Sequence, residues 1–212
     1  MSSIKLTADS GGGTFEIKAP SSSGNTRVLT LPDTGNATVL TTDTSVGKIL
    51  QVVTTSDSDR TAKGSQVINN WGSITGLSLA ITPSSNTSKI KLSGYVFGEM
   101  NTAPYLVRFR IKREISGGAT SYIRGDSSGT RTGVIGTGNE YFTDSNVNST
   151  AHQYLSFSNY IDSPATTSAV TYTIEINYTG AATWYYNRTI AGSDGGDYED
   201  GISWITLEEI AA

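Results

Sequence analysis

The chain has 212 residues, 36% of them hydrophobic and 16% charged, with a formal charge of -4. That length holds one medium domain, or a small domain with an appendage, and the mild acidity gives no electrostatic footprint for nucleic acid. The absence of cysteine excludes disulfides and thiolate metal sites, so stability must come from packing or self-association. Gly, Ser and Thr are abundant, and no stretch keeps a capped apolar period of 3.6, which points to an all-β chain. Met1 to Lys5 lacks the apolar core of a signal peptide, and no apolar run approaches the roughly 20 residues needed to span a bilayer. Synthesis in a cytoplasm, without membrane insertion, is expected.

Residues 3–8 alternate as a strand and Asp9 to Gly13 turn the chain; residues 14–19 alternate again before a second turn from Pro20 to Asn25. Arg27–Leu31 and Ala37–Thr41 read as a third and fourth strand. The spacing is roughly 11 residues, with two or three apolar side chains per strand, too few to repay the entropy of ordering a single copy. Residues 1–46 therefore read as an attachment segment that needs docking or a homotrimer to be stable. The Gly-bounded strand Val46 to Val53 then reads as a hinge into a larger unit, residues 47–212.

In that unit Gln66–Trp71, Leu77–Ile81 and Lys89–Glu99 read as strands. Tyr105–Ile115 follows, and its run Arg108-Phe109-Arg110-Ile111-Lys112-Arg113 largely alternates basic and apolar residues, as a strand with one wet face does. Ser121–Gly125, residues 151–160, Val170–Tyr178, Thr183–Thr189 and Gly201–Ile210 complete the set. In Val170–Tyr178, Tyr172, Ile174, Ile176 and Tyr178 share one face, and Thr173, Glu175 and Asn177 the other. About eight to ten strands without helices predict a β-sandwich, jelly-roll-like head.

The segments Gly47-Lys48-Ile49-Leu50-Gln51-Val52-Val53, Gly76-Leu77 to Ser85, and Ser88-Lys89-Ile90, with the terminal Ser203-Trp204-Ile205-Thr206-Leu207-Glu208-Glu209-Ile210-Ala211, resemble in their order a family of bacteriophage tail fibre and tail-associated virion proteins, cyanophage examples included. Lys5-Leu6-Thr7-Ala8 and Val28-Leu29-Thr30-Leu31-Pro32 resemble the repeated segment that precedes the head in that family. The resemblance is weak across residues 99–200. It implies a trimeric fibre tip that contacts the host, located in the phage tail or baseplate and attached by its N-terminus. The shortness of the chain leaves a baseplate or capsid-decoration role open beside that of a short fibre.

Polar loops on a rigid sandwich are where recognition usually sits, so residues 126–150 and 192–200 are the candidate recognition loops. Asp126, Asn139 and Tyr141 in the first, with Trp184, Tyr186, Asn187 and Arg188, are the candidate receptor contacts. In a strand Trp184 and Tyr186 face one way and Tyr185 the other, so one face of this aromatic cluster is core and the other is suited to stacking on sugar rings or to a protein interface. The expected partners are further copies of the chain, tail or baseplate proteins through residues 1–46, and a host surface glycan or outer-membrane component. Asp194, Asp197, Glu199 and Asp200 offer oxygen ligands for Ca²⁺, but the EF-hand order is absent and a solvated loop is the simpler reading. Gly125-Asp126-Ser127-Ser128-Gly129 matches a nucleophile elbow, with Asp144 and His152 downstream, yet no helix follows and it reads as a polar turn. Five N-x-[ST] sequons, at Asn36, Asn86, Asn148, Asn177 and Asn187, read as coincidence in so Ser- and Thr-rich a chain. No catalytic residue and no cofactor is expected.

Overall fold

The computed structural model describes residues 3–7, 10–12, 14–18, 24, 48–60, 70–100, 107–138, 154–178, 183–190 and 199–212. The chain divides into two compact units, Met1–Asp43 and Thr44–Ala212. In the first unit, β1 (Ser3–Thr7) and β2 (Thr14–Lys18) form an antiparallel hairpin with Ser3 opposite Lys18 and Thr7 opposite Thr14. Gly11 and Gly12 turn it at φ 85° and 67°, a backbone region glycine enters without penalty. The expected strands Arg27–Leu31 and Ala37–Thr41 lie outside the described residues.

The second unit carries β3 (Ile49–Asp57), β4 (Gly72–Ile81), β5 (Lys89–Val96), β6 (Gly98–Met100), β7 (Val107–Ile115), β8 (Thr120–Ile123), β9 (Gly136–Thr137), β10 (Leu155–Asp162), β11 (Val170–Tyr178), β12 (Trp184–Tyr186) and β13 (Ser203–Ile210). All described pairings are antiparallel and no described residue is helical. Four strands in the order β10-β5-β13-β3 make sheet I; β4-β11-β7-β8, with β9 added beside β7, make sheet II; and β12-β6 form a small third sheet.

The hinge stretch supplies Ile49 to Val53 to the edge strand β3 of the second unit. Two other strand readings change. Trp71 precedes β4 rather than ending a strand over Gln66–Trp71, whose residues 66–69 lie outside the described set. The single strand expected over Lys89–Glu99 is two, because the Phe97 N–H donates to Ser203 Oγ (2.9 Å) and the chain leaves sheet I to pair with β12.

One cluster of buried apolar side chains draws on both large sheets, an arrangement compatible with a β-sandwich. Ile90, Leu92, Val96, Ile205 and Leu207 come from sheet I; Phe109, Ile111, Tyr172, Ile174, Ile176 and Tyr178 come from sheet II, each of these 0% exposed. The period-2 pattern of β5 and β13 aims every second residue at this core.

Registers fix the two ends of the body. Asp162 lies opposite Ile90, Ile90 opposite Glu209, and Glu209 opposite Gln51, so these four form one row across sheet I. Arg113 and Tyr172 of sheet II reach Asp162 of that row, which aligns the sheets. The first described residue of the second unit lies at this end: Lys48 C=O accepts the Ala211 N–H (2.9 Å), next to the Ile49–Ile210 pair. Glu209, 0% exposed, closes the same end by accepting from Ser84 N–H (2.7 Å), Ser84 Oγ (2.7 Å) and Gln51 Nε2 (2.6 Å). Burial raises its pKa, but these hydrogen bonds outweigh burial and hold it below the ordinary value.

Candidate functional site

At the opposite end of the body lie described residues that border 139–153 and 191–198. The Gly138 N–H donates to Val107 C=O at the last pair of the β7–β11 ladder, and Leu155 pairs with Val96, so the described flanks of residues 139–153 lie there. The flanks of residues 191–198 lie there too, since Thr189 N–H donates to Glu199 C=O and Gly201 N–H to Asn187 C=O.

At this end most of the expected aromatic contacts turn inward. Trp184 and Tyr186 are 0% exposed, with ring centroids 5.5 Å apart, and both belong to the core. The alternation separates them from Tyr185 correctly, but it cannot say which face the fold buries. Arg188 is half-buried, its guanidinium 4.7 Å above the Tyr185 ring. A Cβ on Gly98 would stand 2.6 Å from the Trp184 ring, so Gly98→Ala is expected to destabilise the unit by about 1–3 kcal/mol through overpacking, read as a lower urea midpoint at unchanged m-value. Asn187 is fully buried at φ 57° and organises the junction. Its Nδ2 donates to Asp57 C=O (2.7 Å), its Oδ1 accepts from Ser203 Oγ (2.6 Å), and its N–H donates to Phe97 C=O (3.0 Å). It is a structural residue here, not a presented one.

Of the other expected contacts, Asp126 is exposed, and Asn139 and Tyr141 lie outside the described residues. Asp194 and Asp197 do as well; Glu199 and Asp200 are exposed, and Asp200 pairs with Arg60 at 2.9 Å. No group of three or more His, Asp or Glu placed to hold a metal occurs among the described residues. Ser127 sits in an exposed loop, where its hydroxyl accepts from Arg124, while Asp144 and His152 lie outside the described residues.

A buried carboxylate also lies at this end. Glu99, 4% exposed, accepts the Ile190 N–H at 2.6 Å. Burial first, and the charge of Glu199 in addition, push its pKa up to about 7 against the effect of that hydrogen bond.

The most developed polar surface is the outer face of sheet II. Arg108, Arg110 and Lys112 stand along it on β7, successive members about 7 Å apart by strand rise. The Arg110 guanidinium lies 4.3 Å from the Trp71 ring and 3.7 Å from the Tyr122 ring, and its Nε donates to Glu175 Oε2 at 2.6 Å. Trp71 comes from the β4 flank, Glu175 from β11, Arg110 from β7 and Tyr122 from β8, so one strap runs across that succession of strands. Thr173, Glu175 and Asn177, on the outward side of β11, are only 5%, 6% and 3% exposed, with Arg110 bonded to Glu175. Arg108 Nη1 reaches Thr132 Oγ1 (3.3 Å) and Asn177 Oδ1 (3.5 Å), and Lys112 Nζ pairs with Glu114 at 3.0 Å. Ser78 and Thr173 hydroxyls meet at 2.9 Å beside them. Among the described residues this face thus carries guanidinium, ammonium, carboxylate, amide and hydroxyl groups beside two aromatic rings.

Fold and site together define an antiparallel all-β protein with a polar, aromatic-flanked outer sheet face. Compared with protein-family models and with curated proteins, the chain matches none.

Proposed function

We propose that this chain is a phage virion protein of the short tail fibre kind, whose second unit is a receptor-binding head that adheres to a host surface glycan. One observation carries the reading. In the second unit β3 starts beside Lys48 at one end, and the described residues bordering 139–153, the far part of the first candidate loop, and bordering 191–198 lie at the other. An adhesin anchored through residues 1–46 to tail or baseplate proteins needs that polarity. The chain passes directly between sheets I and II at β3–β4, β4–β5, β9–β10 and β10–β11, and by way of the small third sheet at β5–β6–β7 and β11–β12–β13, which favours a jelly-roll path for the head. Three copies are expected, so modest contacts to repeated glycans add through avidity.

A second reading, a purely structural baseplate or decoration protein, is favoured by the outer face of sheet I. Val52, Ile161 and Trp204 are 55%, 47% and 37% exposed there, apolar area suited to burial against another virion chain. Fluorescently labelled protein on host cells, with mass by light scattering, separates the two. The adhesin reading expects a trimer whose cell binding is lost when loop 126–150 is shortened. A trimer indifferent to every strain the parent phage lyses supports the structural role, and a stable monomer overturns the trimer.

A further inference from the structure

We infer that the Trp71–Arg110–Tyr122 strap on the outer face of sheet II is a binding site for a saccharide carrying an isolated carboxylate, such as a uronic acid within an otherwise neutral chain. The inference takes the glycan class from the adhesion reading above; the carboxylate and its spacing come from the site itself.

Arg110 is the anchor. Its side chain is 14% exposed, and two rings and Glu175 fix it, so the fork keeps one orientation before any ligand arrives. Glu175 engages only Nε among the described contacts, and neither Nη is a buried unpaired atom. The remaining donors of the fork therefore reach solvent, in the planar geometry that matches a carboxylate with two parallel hydrogen bonds. Pre-ordering removes much of the entropy that an exposed arginine loses on binding. Tyr122 is 42% exposed beside the fork, which leaves an aromatic surface for the apolar face of a sugar ring. Exposed Thr132, whose hydroxyl accepts from Arg108, adds a hydroxyl group at the same face.

The charge count selects among anions. Three cations on β7 face two carboxylates, Glu175 on Arg110 and Glu114 on Lys112, so one net positive charge remains among these residues. A densely sulfated or phosphorylated polymer, or a nucleic acid, would bring several anions per turn against Glu175 and Glu114. One carboxylate with hydroxyl-rich neighbours fits the balance.

The test uses the full-length protein and a synthetic oligosaccharide with a single glucuronate among neutral sugars, beside its carboxyl-reduced, sulfated and phosphorylated counterparts, in titration calorimetry. The carboxylate form is expected to bind at least tenfold more tightly than the carboxyl-reduced form, with the sulfated and phosphorylated forms weaker than the carboxylate. Arg110→Lys, which keeps the charge and can still pair with Glu175 but loses the fork, is expected to abolish that preference. Should Arg110→Lys melt early, the paired Arg110→Gln, Glu175→Gln variant removes the fork without stranding a buried charge and is expected to give the same loss. Equal binding of the reduced form, tighter binding of the sulfated or phosphorylated form, or a preference that survives in the folded variants, overturns the inference. Host cells that bind the protein equally before and after carboxyl reduction of their surface overturn it while leaving adhesion standing. Failure to bind either cells or any oligosaccharide overturns both.

Discussion

Replacing Asp162 by alanine is expected to destabilise the second unit by about 3–5 kcal/mol, the range for removing one member of a buried ion pair. Asp162 belongs to β10 of sheet I, yet its partners belong to sheet II. Arg113 Nη1 donates to both carboxylate oxygens (2.7 and 2.9 Å) and the Tyr172 hydroxyl donates to Oδ2 (2.8 Å). The carboxylate is 8% exposed and Tyr172 0%, so water cannot replace the lost partner at the tyrosine. Tyr172 shows the strength of the environment, its hydroxyl held well above the ordinary range by burial and then by the Asp162 charge. In thermal unfolding the loss corresponds to roughly 10 °C in Tm for a unit of this size. Tyr172→Phe, which removes one hydrogen bond to a charged acceptor and leaves the Arg113 pair, is expected to lose only about 1.5–3 kcal/mol. A double-mutant cycle over Asp162 and Tyr172 should show coupling. Equal, small losses in both variants would mean that the pair does not tie the sheets.

Much of this body is legible in the sequence, because period-2 alternation survives wherever one face of a strand meets the core. Tyr172, Ile174, Ile176 and Tyr178 were separable from their neighbours on that ground alone, and all four are 0% exposed. The same rule fails on the other side of β11. Thr173, Glu175 and Asn177 read as solvent-facing, and they are buried, with side chains of neighbouring strands upon them: Ser78 on Thr173, Arg110 on Glu175 and Arg108 on Asn177. The signal for the site was present in Arg108-Phe109-Arg110-Ile111-Lys112, but it says only that one face is polar. That Trp71 and Tyr122 converge on Arg110 depends on the strand order β4-β11-β7-β8, a long-range fact with no local pattern. The Trp184-Tyr185-Tyr186 run errs for a related reason. Alternation sorts its rings onto two faces, and the pairing of β12 with β6 decides that Trp184 and Tyr186 are the inward ones.

Glu99→Gln is expected to stabilise the protein at neutral pH and to flatten its pH dependence between about 4.5 and 7. The group has an ordinary pKa of 4.5 and a folded value of about 7, raised mainly by burial and also by Glu199. Within that window the folded state holds a proton that the unfolded chain releases, so unfolding free energy falls as pH rises through it. Below the window both states are protonated and the penalty is absent; above it the penalty is complete, on the order of 3 kcal/mol for such a shift. Glutamine keeps the shape, and its carbonyl still accepts the Ile190 N–H that now bonds Glu99 Oε2. Glu209 supplies the contrast within the same molecule. Its pKa is lowered, so its contribution is present above the ordinary carboxylate value and lost as pH falls through the folded one. Wild type should therefore be most stable near the lower edge of the Glu99 window, falling on both sides, whereas Glu99→Gln should keep the acid fall and lose the other. Urea midpoints from pH 3 to 8 read both slopes. A variant that still loses stability between pH 4.5 and 7 as wild type does would place the titrating group elsewhere than in the junction of β6, β12 and the Arg188–Ile190 turn.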